Sequence, residues 1–266
     1  MPGIASAFYR MFFSSVAIWP FLLSSRTKLA SIHRLTLWLA ALGGVFFAGD
    51  VGLYNIAVMH TSAGSATFLG NNAPILVGLL TWATTRRAPS PRFWTALAIA
   101  LLGACLIVSV DAQHQSSRSS ADFLAVMASV CFALYLMTTE RLRESCDTRT
   151  LLTLSTTASS VILLVVAVSA HISLRVPSIS SMAALLGLGL VCQLMGYFCL
   201  TYALGHLPAT ITSVMLLAVG PLAALFALFL FKEHMATLQI LGGGLVVLGV
   251  WIVSSSRRDQ HLSSEI

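Results

Sequence analysis

Hydrophobic residues run along almost the whole chain in long stretches, which short polar segments interrupt. Nine stretches are long enough, or nearly long enough, to cross a bilayer: residues 4–23, 35–58, 63–83, 93–110, 123–139, 151–170, 182–204, 210–231 and 238–253. A helix satisfies its own backbone hydrogen bonds, which lipid cannot do for it. The pattern therefore predicts an all-α membrane protein, a polytopic bundle of about 9 transmembrane helices.

The composition agrees with this class and excludes several others. The chain is 57% hydrophobic and 9% charged, with a mean hydropathy of +0.89, which a water-soluble domain would not tolerate. Its net charge of +6 is dispersed among the loops, so we expect no nucleic-acid partner. Cysteine pairs with metal-ligand spacing, a Walker-type loop and a hydrolase triad are lacking in the sequence. We therefore expect no metal, no cofactor and no enzymatic activity.

The basic residues lie mainly on one side of the predicted membrane. Eleven of the fifteen follow the first, third, fifth and ninth stretches: Arg26, Lys28, Arg34, Arg86, Arg87, Arg92, Arg141, Arg143, Arg149, Arg257 and Arg258. Because cytoplasmic loops carry an excess of Lys and Arg, this side is predicted to be cytoplasmic. The C-terminus is then cytoplasmic and the N-terminus outside. Short loops and the lack of a targeting segment favour a cell inner membrane.

The sequence contains an internal repeat, which is seen when Pro74 is aligned with Pro221. Residues 43–109 then match residues 190–255: a span with glycines and a tyrosine, a polar turn, a proline-bearing span, a charged turn and a closing span. After a one-residue slip, the closing phrases LLGACLIVS (101–109) and VLGVWIVSS (247–255) also correspond. Duplication is the simplest explanation.

Four segments carry a resemblance to a known family: ASAFYRMFFSS (5–15), YNIAVMHTSAGSATFLGNNAP (54–74), YALGHLPATITSVMLLAVGP (202–221) and FKEHMATLQILGGGLVVLGV (231–250). The chain resembles the drug/metabolite transporter superfamily, in particular its EamA-type transporters. That resemblance implies two EamA domains related by inverted topology, each with five helices. It also implies transport of a small metabolite.

The chain departs from this pattern in two places. Its first half begins at the arginine-bearing helix, so we expect the first EamA domain to lack its opening helix. We predict a first repeat of four helices at residues 1–117, a second of five at 118–256, and a cytoplasmic tail at 257–266. Either the start was assigned too late or this is a natural nine-span variant. In addition, Arg86 stands where the second half has the family's acidic residue, Glu233.

Two charged residues fall deep within the predicted spans. A charge at the bilayer centre costs roughly 2.5 to 3.5 kcal/mol, so those present usually face a cavity or form a pair. Arg10 lies about 9 Å below the outer end of its helix, and Asp50 about 12 Å below the outer end of the next. We expect them to share one polar interior site, either as an ion pair or as opposite walls of a cavity. A purely structural pair that locks two helices is the alternative.

Other polar residues fall near this level. The predicted substrate-binding residues are Arg10, Asp50, Tyr54, Asn71, Asn72, Gln193 and Tyr197, and the predicted helix breaks are at Pro74 and Pro221. Adjacent helical residues point about 100° apart, so we expect at most one of the two asparagines to line a cavity, with Asn71 favoured. Tyr197 aligns with Asp50 in the repeat, and Gln193 lies one turn earlier on the same face.

These features predict a secondary transporter that exports a small metabolite, such as an amino acid or a related organic compound, by alternating access. Its expected partners are a small-molecule substrate and the lipid bilayer, with protons as a candidate coupling ion. A non-transporting scaffold or degraded transporter is one alternative. An intramembrane lipid-modifying enzyme is another, although a single acid and a single base do not suffice for one.

Overall fold

The computed structural model describes residues 1–23, 34–60, 69–111, 119–231 and 236–264. Helices dominate this part of the chain. They are α1 (Gly3–Leu23), α2 (Arg34–His60), α3 (Ala73–Thr85), α4 (Pro91–Asp111), α5 (Ser119–Arg143), α6 (Thr148–Ser169), α7 (Ile179–Gly187), α8 (Tyr197–Leu204), α9 (Ala209–Leu216), α10 (Val219–Phe231) and α11 (Thr237–Ser264). A π-helical segment, Leu188–Gly196, continues α7 directly into α8.

The described helices confirm the polytopic bundle. Eight helical stretches within the described ranges are long and apolar enough to cross a membrane, if α7 to α8 and α9 to α10 each count as one stretch. Helix α3 is apolar but shorter, with 13 residues. The predicted third span, 63–83, begins outside the described residues, and α3 forms its described part. The predicted eighth span is not continuous, because the chain turns at Leu217 and Ala218 between α9 and α10.

Small residues bring the helices of the central bundle into close contact. Helix α2 passes α6 at Gly44, where the added Cβ of any other residue would lie 2.9 Å from the carbonyl oxygen of Ser155. Ser159 donates a hydrogen bond across the same contact to the carbonyl oxygen of Gly44, at 2.8 Å. Small residues and hydroxyl bridges of this kind hold helices together in lipid, where the hydrophobic effect between helices is absent.

The closing helices of the two repeats, α4 and α11, cross in a symmetric way. Gly103 on α4 meets the backbone of Gly242 on α11, and Gly249 on α11 meets the backbone at Ala96 on α4. In the repeat alignment Gly103 corresponds to Gly249 and Ala96 to Gly242, so the two contacts are equivalent. Because one residue number rises as the other falls, the helices run antiparallel. This arrangement agrees with two repeats of inverted topology.

The two aligned prolines each lie in the first turn of a helix that follows a break. Pro74 is the second residue of α3, and Pro221 is the third residue of α10. Proline is tolerated there because the first turn of a helix has no backbone acceptor for its N–H groups. Each repeat therefore contains an interrupted proline-bearing helix.

Candidate functional site

Arg10 is the basic residue that α1 carries into the interior of the bundle. Its Nε donates a hydrogen bond to Oε1 of Gln193 at 2.8 Å. Its guanidinium carbon lies 5.7 Å from the ring centroid of Tyr197, within the range of a cation–π interaction. Both partners belong to the second repeat, so Arg10 joins the two halves of the protein.

The π-helical segment brings Gln193 to this position. At Gly189, an added Cβ would lie 2.8 Å from the Cβ of Phe13 and 3.2 Å from the carbonyl oxygen of Arg10. Glycine therefore lets the segment approach the backbone of α1 beside Arg10. Runs of π-helix are rare and often occur at functional sites. This one widens the helix at the residue that holds the arginine.

The side-chain amide of Gln193 is only partly satisfied by hydrogen bonds. The residue is fully buried, and its Nε2 has no hydrogen-bond partner in the described part of the chain. A buried donor without a partner costs about 1 to 3 kcal/mol, so such groups are usually found where a ligand or water can bind. The amide therefore offers a donor next to the bound guanidinium.

A cavity of about 280 Å³ lies beside these residues and is formed by both repeats. Its lining residues are Arg10, Asp50, Val51, Tyr54, Gly70, Asn71, Phe132, Tyr197 and Val219. Five of the seven predicted substrate-binding residues therefore lie around one space. A sixth, Gln193, does not line the cavity but accepts a hydrogen bond from Arg10, which does.

Arg10 and Asp50 stand at this cavity as separate walls. Among the described residues, an amide oxygen and an aromatic ring hold the guanidinium, and the carboxylate of Asp50 does not. Tyr54 lies one turn beyond Asp50 on α2, which places both side chains on the same face. Of the two predicted arrangements, the structure shows the shared cavity and not the direct ion pair.

The two asparagines before α3 differ in their surroundings. Asn71 lines the cavity. Asn72 donates from Nδ2 to the carbonyl oxygen of Leu69 at 3.1 Å and is not among the lining residues. Asn71 therefore lines the cavity and Asn72 does not, and the substrate-binding roles of both residues stay predictions. The side chain of Asn72 instead caps the turn that ends the preceding helical residues.

A buried serine, absent from the predicted site, secures this turn. Ser129 on α5 donates its hydroxyl hydrogen towards the carbonyl oxygens of Leu69, at 2.5 Å, and Gly70, at 3.0 Å. The side chain is fully buried. Broken helices leave carbonyl groups that neighbouring Ser and Thr side chains can satisfy. No sequence pattern links residue 129 to residue 69, which is why this contact was missed.

Aromatic rings support the side of the cavity formed by Tyr197. The ring of Phe47 stacks on that of Tyr135 with centroids 4.4 Å apart and lies 4.6 Å from that of Tyr197. The ring centroid of Phe132, which lines the cavity, is 6.3 Å from that of Tyr135. The three buried or half-buried rings fix Tyr197 beneath the guanidinium.

A larger cavity, of about 600 Å³, lies away from these residues near the ends of several helices. Its lining includes Thr85, Arg87 and Ser90 from the first repeat and Pro208 and Thr210 from the second. None of the predicted site residues belongs to it. We place the candidate site at the smaller cavity because deep charged side chains meet there.

A family model matches the chain twice, at residues 1–109 and 119–255, and it describes the EamA-like transporter family. The chain belongs to the EamA-like transporter family. The resemblance inferred from the four sequence segments is thereby confirmed. The first match contains α1 to α3 and nearly all of α4, and the second contains α5 to α10 and most of α11.

Two relatives of this EamA-like transporter are described as transporters. The uncharacterized transporter YwfM of Bacillus subtilis (strain 168) is 26% identical over 209 residues, which cover 78% of this chain and 70% of YwfM. An uncharacterized transporter of Archaeoglobus fulgidus is 24% identical over 256 residues, which cover 94% of this chain and 87% of the relative. Family and relatives point to membrane transport and away from catalysis.

A solved crystal structure shares the fold of this EamA-like transporter. It superposes with a TM-score of 0.81 and covers 96% of this chain and 89% of its own, at 14% sequence identity. The cavity at the candidate site is lined by residues of both matched regions. Arg10, Asp50 and Asn71 come from the first, and Phe132, Tyr197 and Val219 come from the second.

Proposed function

We propose that this EamA-like transporter is a secondary transporter that exports a small polar metabolite, such as an amino acid or a related organic compound. The observation that carries this proposal is the cavity shared by both repeats, which places Arg10 and Asp50 around one space. Ionisable residues within a membrane span are costly and usually mark a substrate or ion pathway. Secondary transporters bind their substrates at such repeat interfaces.

The side chains divide the work of binding. Arg10 uses its Nε on Gln193, and its guanidinium has further N–H donors that can bind an anionic group of the substrate. Asp50 supplies a carboxylate that can accept a hydrogen bond or exchange a proton with the cavity. The amide of Asn71 and the hydroxyl groups of Tyr54 and Tyr197 add neutral donors and acceptors. In this proposal Asp50 couples transport to protons.

The broken helices provide the means for alternating access. Asn71 precedes α3 at the first break, and Val219 begins α10 at the second. Both residues line the cavity, so movement at either break would reshape it. The close crossing of α4 and α11 leaves little room to move there. We infer that α3 and α10 move against this crossing, which stays fixed.

The direction of transport rests on the predicted orientation in a cell inner membrane. The eleven basic residues place the C-terminus in the cytoplasm and the N-terminus outside. With this orientation, the 600 Å³ cavity that contains Arg87 opens near the cytoplasmic side and forms the entrance for the substrate. A fluorescent protein that matures only in the cytoplasm, fused to the C-terminus, tests the orientation. Absence of fluorescence would reverse the assignment.

The test of the proposed function is transport by the purified chain in proteoliposomes. Uptake of a panel of labelled amino acids and related compounds is measured with and without a pH gradient, together with exchange of labelled for unlabelled substrate. Asp50→Asn removes the carboxylate at the cavity. Asp122→Asn, in the first turn of α5 and outside the cavity lining, is the matched control for loss of one acid.

Saturable uptake that follows the pH gradient, together with loss of that dependence in Asp50→Asn alone, supports a proton-coupled carrier. If Asp50→Asn keeps gradient-driven transport, protons do not couple through this residue. Absence of both uptake and exchange for a folded protein across the panel would favour a scaffold without transport activity. Turnover of lipid during the assay would favour the enzyme alternative.

A further inference from the structure

A second crevice lies on the outer face of the bundle, apart from the central cavity. It has a volume of about 310 Å³ and is bounded by α1, α6, the π-helical segment and α8. Phe21, Leu194, Met195 and Phe198 form its apolar walls, and Arg149 is the charged residue that lines it. Its size lies at the lower end of the range for small-molecule sites, about 300 to 1,000 Å³.

This crevice opens outwards, to the surface that lipid covers in a membrane protein. Phe21 is 63% exposed and Met195 is 64% exposed. In a chain that spans a bilayer, side chains of this kind contact acyl chains rather than water. The apolar walls are therefore suited to a hydrocarbon chain.

Arg149 is expected at the level of the lipid headgroups, because it lies at the start of a candidate membrane span. It is the second residue of α6, a predicted membrane span, and it is exposed. Its neighbour Asp147 uses its carboxylate to cap α6, accepting a hydrogen bond from the backbone N–H of Thr150 at 3.1 Å. In the described ranges no side-chain hydrogen bond or ion pair holds Arg149. Nearby Arg143, in contrast, is bound to the carbonyl oxygens of Thr201 and Cys146.

The crevice extends through about one leaflet. Contacts of Arg143 with Thr201 and Gly205 bring the end of α8 to the turn where α6 begins. Leu194 lies ten residues before the end of α8 at Leu204, which is a depth of about 15 Å. The hydrocarbon core is about 30 Å thick, so the apolar walls match the length of one acyl layer.

We propose that this crevice is a binding site for an anionic glycerophospholipid of the surrounding bilayer. One acyl chain lies along Phe21, Leu194 and Phe198, and the phosphate group binds Arg149. Charge complementarity selects the occupant, because a basic group at the mouth of an apolar groove matches an anionic headgroup above an acyl chain. The lipid also packs on the π-helical segment next to Gln193, so it supports the segment that holds Arg10.

The experiment is native mass spectrometry of the full chain after removal of bound lipid. Phosphatidylglycerol and phosphatidylcholine with identical acyl chains are added in equal amounts, and inorganic phosphate is added in a separate arm. Arg149→Gln removes the charge, and Met195→Trp fills the crevice without changing the charge. Arg141→Gln is the matched control: an exposed arginine near the same membrane face that does not line the crevice.

Preferential retention of one phosphatidylglycerol by the wild type and by Arg141→Gln supports the site. Arg149→Gln should lower that preference roughly fivefold, as expected for one basic residue near an anionic headgroup. Met195→Trp should weaken both lipids. If Arg149→Gln does not fold, the comparison of the wild type with Met195→Trp decides alone.

Three results would overturn the site. Equal retention of the two lipids by the wild type would show ordinary boundary lipid. Full competition by inorganic phosphate would show an anion site without an acyl chain. A dimer that forms equally with and without added lipid, and that is lost in Met195→Trp, would assign the crevice to a second copy of the chain. None of these readouts depends on transport activity.

Discussion

Arg10 and Gln193 are 183 positions apart in the sequence, yet the Nε of one donates to the Oε1 of the other at 2.8 Å. The bond crosses from the first repeat to the second. Beside this bond, the guanidinium lies over the ring of Tyr197, and Arg10 lines the cavity. We therefore propose that Gln193 acts on the substrate through Arg10, as a positioning residue.

Gln193→Leu should raise the KM for transport about tenfold and leave kcat largely unchanged. A hydrogen bond to a charged group is worth about 1.5 to 3 kcal/mol, and its loss frees the guanidinium from its binding orientation. Initial uptake rates over a range of substrate concentrations separate the two constants. Gln239→Leu is the control, because in the described part of the chain the side chain of Gln239 only accepts a bond from the backbone N–H of Ala236. An unchanged KM in Gln193→Leu would refute the positioning role.

Ser129→Ala should lower both the stability and the apparent affinity for substrate. The substitution removes the hydroxyl that serves the carbonyl oxygens of Leu69 and Gly70, at a cost of about 1 to 3 kcal/mol. Asn71 follows these residues directly, so the cavity wall should shift. Thermal unfolding in detergent and substrate uptake measure the two effects.

The control for this prediction is Ser109→Ala. Ser109 is exposed, and among the described residues its hydroxyl bonds only to the carbonyl oxygen of Leu106 within its own helix. We expect its unfolding temperature and uptake to match the wild type. If Ser129→Ala behaves in the same way, the bond does not position the break before α3.

Gly242→Ala should destabilise the protein by about 1 to 3 kcal/mol, the usual cost of overpacking. The new Cβ would lie 2.5 Å from the carbonyl oxygen of Gly103, and backbone at a helix crossing cannot easily move away. Two positions further along α11, an added Cβ at Gly244 meets nothing within 4 Å. Gly244→Ala should therefore be neutral or slightly stabilising. Similar thermal unfolding of the two variants would contradict a close crossing of α4 and α11.

Cys146 should react slowly with a water-soluble maleimide at neutral pH. It lies in the turn between α5 and α6, where burial raises the pKa of its thiol to about 11; the adjacent Asp147 adds to this rise, and Arg143 opposes it. The thiolate is the reactive form, so a raised pKa lowers the reactive fraction at pH 8. The rate should rise about tenfold per pH unit until the pH approaches 11.

The measurement uses a variant in which Cys105, Cys131, Cys192 and Cys199 are replaced by alanine, leaving one thiol. Its labelling rate is followed between pH 7 and pH 10. The same protein unfolded in detergent should react like a free cysteine, which provides the reference rate. Equal rates for the folded and unfolded forms at pH 7.5 would show that the thiol is neither buried nor shifted.

The hydrophobic pattern predicts where the helices lie, but it does not predict where they are interrupted. It predicted helices such as α1 and α6 closely, because hydropathy over some twenty residues dominates their free energy in lipid. The break at Leu217 and Ala218 and the π-helical segment 188–196 fall inside apolar runs, where hydropathy does not change. The π-helical segment packs closely on α1 at Gly189, and the break lies just before Pro221, where the proline rather than the hydropathy indicates it.

The candidate site could be predicted in part, for a similar reason. Arg10 and Asp50 stand out because charge is rare and costly in a span. The repeat alignment then indicated Tyr197, which lines the same cavity. Nothing in the sequence distinguishes Phe132 and Val219, which also line the cavity, because apolar residues are common throughout an apolar span. Their place at the cavity follows only from the packing of α5 and α10.

The sequence alone determined that this protein lies in a lipid bilayer and is helical, and it also determined the internal duplication and the family. These properties depend on composition and on local or repeated patterns. The tertiary structure decided which polar side chains contact one another. It paired Arg10 with Gln193 and kept Asp50 across the cavity, and it separated Asn71 from Asn72. Such pairings depend on the rotation and crossing of helices far apart in the chain, which the geometry of interhelical packing sets and no single helix encodes.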